Sequence, residues 1–194
     1  MTDVLLATRL KVSDPTARTA LATLRDRLGL ADRVATLVRE ELFLFEMAPG
    51  PEAARELVDG LARKTNLFLN PNKHAWRLHT GDEPLPAGAG PAAWLLAWTP
   101  DDGAALESSV HRHLGLAAVE SIRRGWLWRF GGAPGVDAAV LLHAAREAAF
   151  GDGPQRGFLV NDAWQEGRLY AERPSVYDVR EAFAGTGVPA GRRG

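Results

Sequence analysis

Short segments from the first half of this chain return, in the same order, in the second half. Val4-Leu5-Leu6-Ala7 is echoed by Trp94-Leu95-Leu96-Ala97, and Arg27-Leu28-Gly29-Leu30 by His113-Leu114-Gly115-Leu116. Leu42-Phe43-Leu44 corresponds to Trp126-Leu127-Trp128, each followed by a proline, Pro49 or Pro134. Leu69-Asn70-Pro71 corresponds to Val160-Asn161-Asp162, and Arg77-Leu78 to Arg168-Leu169. The spacing drifts only between about 84 and 91 residues, as loop insertions would cause. Residues 81–91, rich in proline and glycine, read as a linker between two copies. The expected organisation is a first repeat over 1–80, a linker over 81–92, a second repeat over 93–172, and a short helix with a flexible tail over 173–194.

Each copy reads as a small α+β unit. Residues 4–11 have the β-branched and apolar character of a strand. Asp14-Pro15 then opens a helix, because Asp accepts from the free N–H groups of a first turn and proline costs nothing there. Ala17, Ala20, Leu21, Leu24 and Leu28 share one face of it, and Gly29 stops it. Residues 34–39 and 42–47 read as two strands joined by a turn at Glu40-Glu41. Pro51 opens a second helix with Ala54, Leu57, Val58 and Leu61 as its stripe, and residues 73–79 form a weaker last strand. The second copy repeats this, with strands at 94–99, 119–123, 126–130 and 163–170 and helices at 101–114 and 135–150. Ser175 with Asp178 then has the spacing of a capping box for an extra helix ending near Gly185. The order βαββαβ, twice, is that of tandem ferredoxin-like repeats, with antiparallel sheets and helices on one face.

An antiparallel sheet covered on one face should alternate apolar with polar residues. Leu42-Phe43-Leu44-Phe45 and Trp126-Leu127-Trp128 are apolar on both faces. The second face is therefore expected to be covered as well, by the sister copy or by another chain. Five of the six tryptophans lie from Trp94 onward. Trp126, Trp128 and Phe130 share a strand face, which fits a core first and a buried interface second.

Composition narrows the function classes. Apolar residues at 46% and charged residues at 24% are those of a globular chain. A formal net charge of -1 provides no global field for nucleic acid. No apolar run approaches the roughly 18 residues of a membrane span, and residues 1–11 lack the basic and small-residue pattern of a signal peptide. A cytoplasmic location with no membrane or nucleic-acid partner is expected. Cysteine is absent, which removes disulfides, thiolate nucleophiles and thiolate metal sites.

No arrangement of chemically active residues stands out. His111 and His113, two apart on a helix, diverge. His74 and His79 sit near the exit of a strand, and His143 is isolated. Glu40-Glu41 fits a turn better than a carboxylate pair, and Ser108-Ser109 lacks a nucleophile-elbow context. Gly131-Gly132 with Pro134-Gly135 lacks the lysine of a phosphate loop. No catalytic residue, cofactor or metal is expected.

The first copy resembles the PurS family, the small subunit of phosphoribosylformylglycinamidine synthase. Asp14-Pro15, Leu28-Gly29, Val38-Arg39, Glu41-Leu42 and Leu67-Phe68-Leu69-Asn70-Pro71 follow the family's order, and Trp76 falls where the family has tyrosine. The similarity spans nearly all of residues 1–80. The second copy shares the pattern with Leu114-Gly115, Arg123 and Asn161. Two departures are clear: the family's Gly-Lys turn is Glu40-Glu41 here, and its acidic pair is His74-Ala75. Family members normally carry one unit. The resemblance implies a non-catalytic subunit of purine biosynthesis that joins the glutaminase and synthetase subunits and aids ammonia transfer between them. Self-association through sheets is implied too. Together, resemblance and strand pattern make Arg39, Leu42, Leu44, Asn70, Pro71, Trp126 and Trp128 interface candidates. Two other readings stay open. One is a ferredoxin-like ligand-binding regulatory module with a pocket at the repeat interface. The other is a small α+β-barrel enzyme with His74 or His111 as base.

Overall fold

A computed structural model describes residues 1–81, 90–100, 102–151, 157–161 and 163–185. In chain order they form β1 (Thr2–Leu10), α1 (Pro15–Asp26), β2 (Val34–Met47), α2 (Pro51–Lys64), β3 (His74–Thr80), β4 (Ala92–Trp98), α3 (Ala104–Leu114), β5 (Val119–Gly132), α4 (Ala138–Phe150), β6 (Glu166–Tyr170) and α5 (Val176–Phe183). Most of the expected linker, 82–89, and the expected tail, 186–194, lie outside the described residues.

Local signals start the helices. Asp14 caps α1 by accepting from the Thr16 N–H at 2.8 Å, with Pro15 at the first helical position. Asp137 caps α4 through the Val140 N–H. Ser175 and Asp178 form the reciprocal capping box of α5. Gly115 closes α3 in the left-handed conformation, which costs a residue without Cβ nothing.

All six strands belong to one antiparallel sheet in the order β3-β1-β2-β5-β4-β6. The fold is α+β. The turns expected at Glu40-Glu41 and Arg124-Gly125 do not occur. Each is the middle of a continuous strand of 14 residues, and the two long strands pair along their whole length. Glu40 and Glu41 are opposed by Leu127 and Trp126. Two adjacent carboxylates within a strand are tolerated because each meets an arginine from far along the chain, Arg173 and Arg124.

Side chains alternate between the two faces of this sheet. On one face Val4, Leu6, Phe43 and Phe45 pack with α2 and with Val110 of α3. On the same face Leu95, Trp128 and Phe130 pack against α1 and α4. Trp126 and Trp128 therefore meet helices, and among the described residues no second sheet covers them. On the other face Leu5, Leu42, Leu44, Trp94, Leu96, Trp98 and Leu127 lie beneath Val176, Val179, Ala182 and Phe183 of α5. The expected cover, a sister copy or another chain, is supplied by the chain's own last helix. Gly125 makes room for it: a Cβ there would stand 2.8 Å from the Phe183 ring. Burying each such Leu or Phe contributes about 1.5–3 kcal/mol, so α5 is an integral part of the core.

Candidate functional site

The seam between β2 and β5 carries most of the interface candidates. Leu42 and Leu44 are fully buried beneath α5, and Trp128 is nearly so under α1 and α4. These three are core residues of a single chain. Arg39 and Trp126 stay partly exposed. Arg39 donates from Nε to Asp14 Oδ2 at 3.0 Å and lies 5.7 Å from the Trp128 ring that opposes it. Arg124 donates to Glu41 Oε1 at 2.7 Å and lies 5.1 Å from the Trp126 ring, with Asp102 at 3.7 Å. Asn70 and Pro71 lie apart from the seam, in the turn before β3. The Asn70 side chain accepts from the Asn72 N–H, and the Pro71 carbonyl accepts from Lys11 Nζ at 2.8 Å.

A second cluster lies on the α5 face. Glu40 accepts from Arg173 at 2.5 Å, and both side chains are well buried. The guanidinium groups of Arg173 and Arg129 lie 5.2 and 5.8 Å from the Trp94 ring. An ion pair so far out of water needs additional partners for its remaining hydrogen-bonding groups, and the indole face supplies attraction to the cations.

A groove of about 840 Å³ lies between α2 and β3, an edge strand of the sheet. Lys11, Arg55, Arg63 and Arg77 line it, with Glu56 and Asp59 as the only carboxylates among the lining residues. Arg63 donates to Asp59 at 2.6 Å and stacks 5.4 Å from Trp76. The Arg63 hydrogen bond holds the Asp59 carboxyl below its ordinary pKa despite partial burial, assisted by Trp76 Nε1 at 3.3 Å. Arg55 donates to the Leu78 carbonyl at 2.9 Å, on the outer side of the edge strand. His79 is 7% exposed, and its Nε2 has no hydrogen-bond partner. Burial, with the charges of Arg173, Arg55 and Arg77, pushes its pKa down to about 4, so the ring is neutral at pH 7.

A scan against protein-family models finds no match, and a comparison with curated proteins finds none either.

The two histidines considered as bases each contact a backbone carbonyl. His111 Nε2 is 2.6 Å from the Val119 carbonyl, and His74 Nδ1 is 3.1 Å from the Asn70 carbonyl. Both rings tie a helix or turn to a neighbouring strand. Among the described residues no group of three or more His, Asp or Glu is placed to hold a metal ion. No helix among them is long and apolar enough to cross a membrane. Sequence reasoning did not single out Arg55, Arg77 or Arg173 as site residues, and it placed His79 at a strand exit and Glu40 in a turn. Each depends on contacts between segments far apart in sequence. The groove also lies at the β3 edge, away from the seam where a regulatory pocket was expected.

Proposed function

We propose that the chain is a PurS-like, non-catalytic assembly subunit of the phosphoribosylformylglycinamidine synthase complex, built as two tandem ferredoxin-like repeats. In this reading each long strand stands for the two central strands of a βαββαβ unit. The observation that carries it is the pairing of β2 with β5. Both have 14 residues, and matching their ends lays Val34 on Val119 and Met47 on Gly132. The neighbouring ladders agree. Thr2 to Thr8 of β1 pair with the second half of β2, and Ala92 to Trp98 of β4 pair with the second half of β5. The two units thus meet like with like, as two copies of a single-unit subunit would in a dimer. A tether makes that contact intramolecular, at millimolar effective concentration for a short flexible linker.

The chain would join glutaminase to synthetase and aid the passage of ammonia, with its own residues acting only by shape and contact. Co-purification of the tagged full chain with both subunits tests this. The expected result is a ternary complex with one chain per synthetase. Assembly of the two large subunits into an active, glutamine-dependent enzyme that excludes this chain would refute it.

A further inference from the structure

The outer edge of β3 leaves a backbone ladder open. The Lys11 N–H donates to the Lys73 carbonyl at 2.9 Å, so in the β1–β3 register the odd-numbered residues of 73–79 turn their N–H and C=O groups toward β1. The backbone groups of His74, Trp76 and Leu78 therefore point away from β1. β3 ends the sheet, and among the described residues no strand lies on that side. Two of the outward groups are taken: the His74 N–H donates to the Asn70 carbonyl, and the Leu78 carbonyl accepts from Arg55 Nη1 at 2.9 Å. The N–H and C=O of Trp76, the Leu78 N–H and the His74 C=O face the groove. An open edge of this kind is a template for pairing with another chain. Charge decides which chain fits. Among the described residues, no carboxylate forms an ion pair with Arg55, Arg77 or Lys11. Of the two lining carboxylates, Asp59 is matched by Arg63. The groove therefore carries an excess of positive charge, which is complementary to an acidic segment.

We propose that the groove between α2 and β3 docks an acidic, extended segment of a partner protein, which pairs with β3 as an additional strand of the sheet. In strand addition the main-chain hydrogen bonds supply affinity, and the side chains on alternate positions supply specificity. On the α2 face the added strand meets the partly exposed Trp76 and the guanidinium of Arg55, which is already oriented by its bond to the Leu78 carbonyl. On the other face it meets Ala75 and the exposed Arg77. A segment that alternates apolar with acidic residues satisfies both faces, with the apolar side chains on the Trp76 indole and the carboxylates toward Arg77. The groove, at about 840 Å³, has room for a short stretch of such chain laid about 4.8 Å from β3. This surface rests on the β3 edge alone and stands whether or not the chain joins a synthetase complex.

Calorimetric titration of the full chain with a short synthetic peptide alternating Glu with Val, at about 0.15 M salt where long-range attraction is screened, tests the proposal. The expected result is saturable binding at one site, with slowed hydrogen exchange at the Trp76 and Leu78 amides that the new strand covers. Arg77 is exposed, so Arg77→Gln leaves folding intact and weakens binding about ten-fold or more, as loss of a charged hydrogen bond does. Arg146→Gln, an exposed position on α4, is the control and leaves binding unchanged. The same peptide with N-methylated backbone amides keeps its charge but cannot donate to the His74 and Trp76 carbonyls, and it binds about ten-fold more weakly or worse. Four outcomes overturn the proposal. One is absence of saturation with the peptide. Another is equal weakening by the two variants, which signals general charge attraction. A third is undiminished binding of the N-methylated peptide, which means contact by side chains without strand pairing. The last is tighter binding of inorganic polyphosphate than of the peptide, which makes the groove a site for phosphates.

Discussion

Glu41 of β2 faces Trp126 of β5 across the central ladder, and the alignment that lays Val34 on Val119 also lays Glu41 on Trp126. Here the pair is unlike, a carboxylate against an indole, and Arg124 reconciles them by bonding to Glu41 while stacking on Trp126.

That arrangement sets the first expectation. Arg124→Lys retains the charge but loses the planar fork and the stacking surface. The group is about one-third exposed, so solvent screening limits the effect. A loss of ~1 kcal/mol is expected in urea denaturation, with Glu41→Gln giving a similar value and the double variant less than the sum. Additivity would show that the two side chains act independently.

The two seam tryptophans should differ. Trp128 is 7% exposed inside the helix-covered core, and Trp128→Ala should destabilise by about 3–5 kcal/mol. Trp126 is partly exposed, and its truncation should cost about 1 kcal/mol, from lost stacking and partial burial. Equal losses in denaturant midpoints at constant slope would contradict these placements.

α5 should be indispensable. Val179 is fully buried against Leu5, Leu44 and Leu96 on the second sheet face. Val179→Asp places a carboxylate there and should detach the helix, exposing an apolar face that binds hydrophobic dyes and drives aggregation. A dye-silent, monodisperse variant in light scattering would show that the face is covered by something else.

His79 makes stability depend on pH. Its folded pKa is near 4 against an ordinary 6.5, so the unfolded state binds the proton first. Stability should be full above about pH 6.5 and fall as pH drops toward 4, by at most ~3 kcal/mol from this one group. His79→Gln should flatten that part of the profile. An unchanged slope between pH 6.5 and 4 in denaturant titrations would assign the dependence to other groups.

The sequence by itself determined what is local. Asp14-Pro15 and the Ser175–Asp178 box start helices because their hydrogen bonds close within a few residues. The apolar stripes of α1 and α2 follow from helical period alone. The alternation of strands with helices was legible for the same reason, as was the shared face of Trp126, Trp128 and Phe130, whereas the two strands expected on either side of Glu40-Glu41, and of Arg124-Gly125, are each one continuous strand. The correspondence between the two long strands was not legible. Pairing by residue likeness puts Leu42 on Trp126, whereas matching the strand ends puts Leu42 on Leu127. A slip of one residue exchanges the two faces of a strand, and strands that are apolar on both faces carry no alternation to fix it. Only the tertiary structure decided that Glu40 and Glu41 lie within a strand, since Arg173 and Arg124, which neutralise them, come from 133 and 83 residues away. Tertiary structure also decided which segment covers the second face and which cations gather at His79. Such assignments depend on long-range register and on charge meeting charge across the sheet, and neither leaves a periodic mark on the chain.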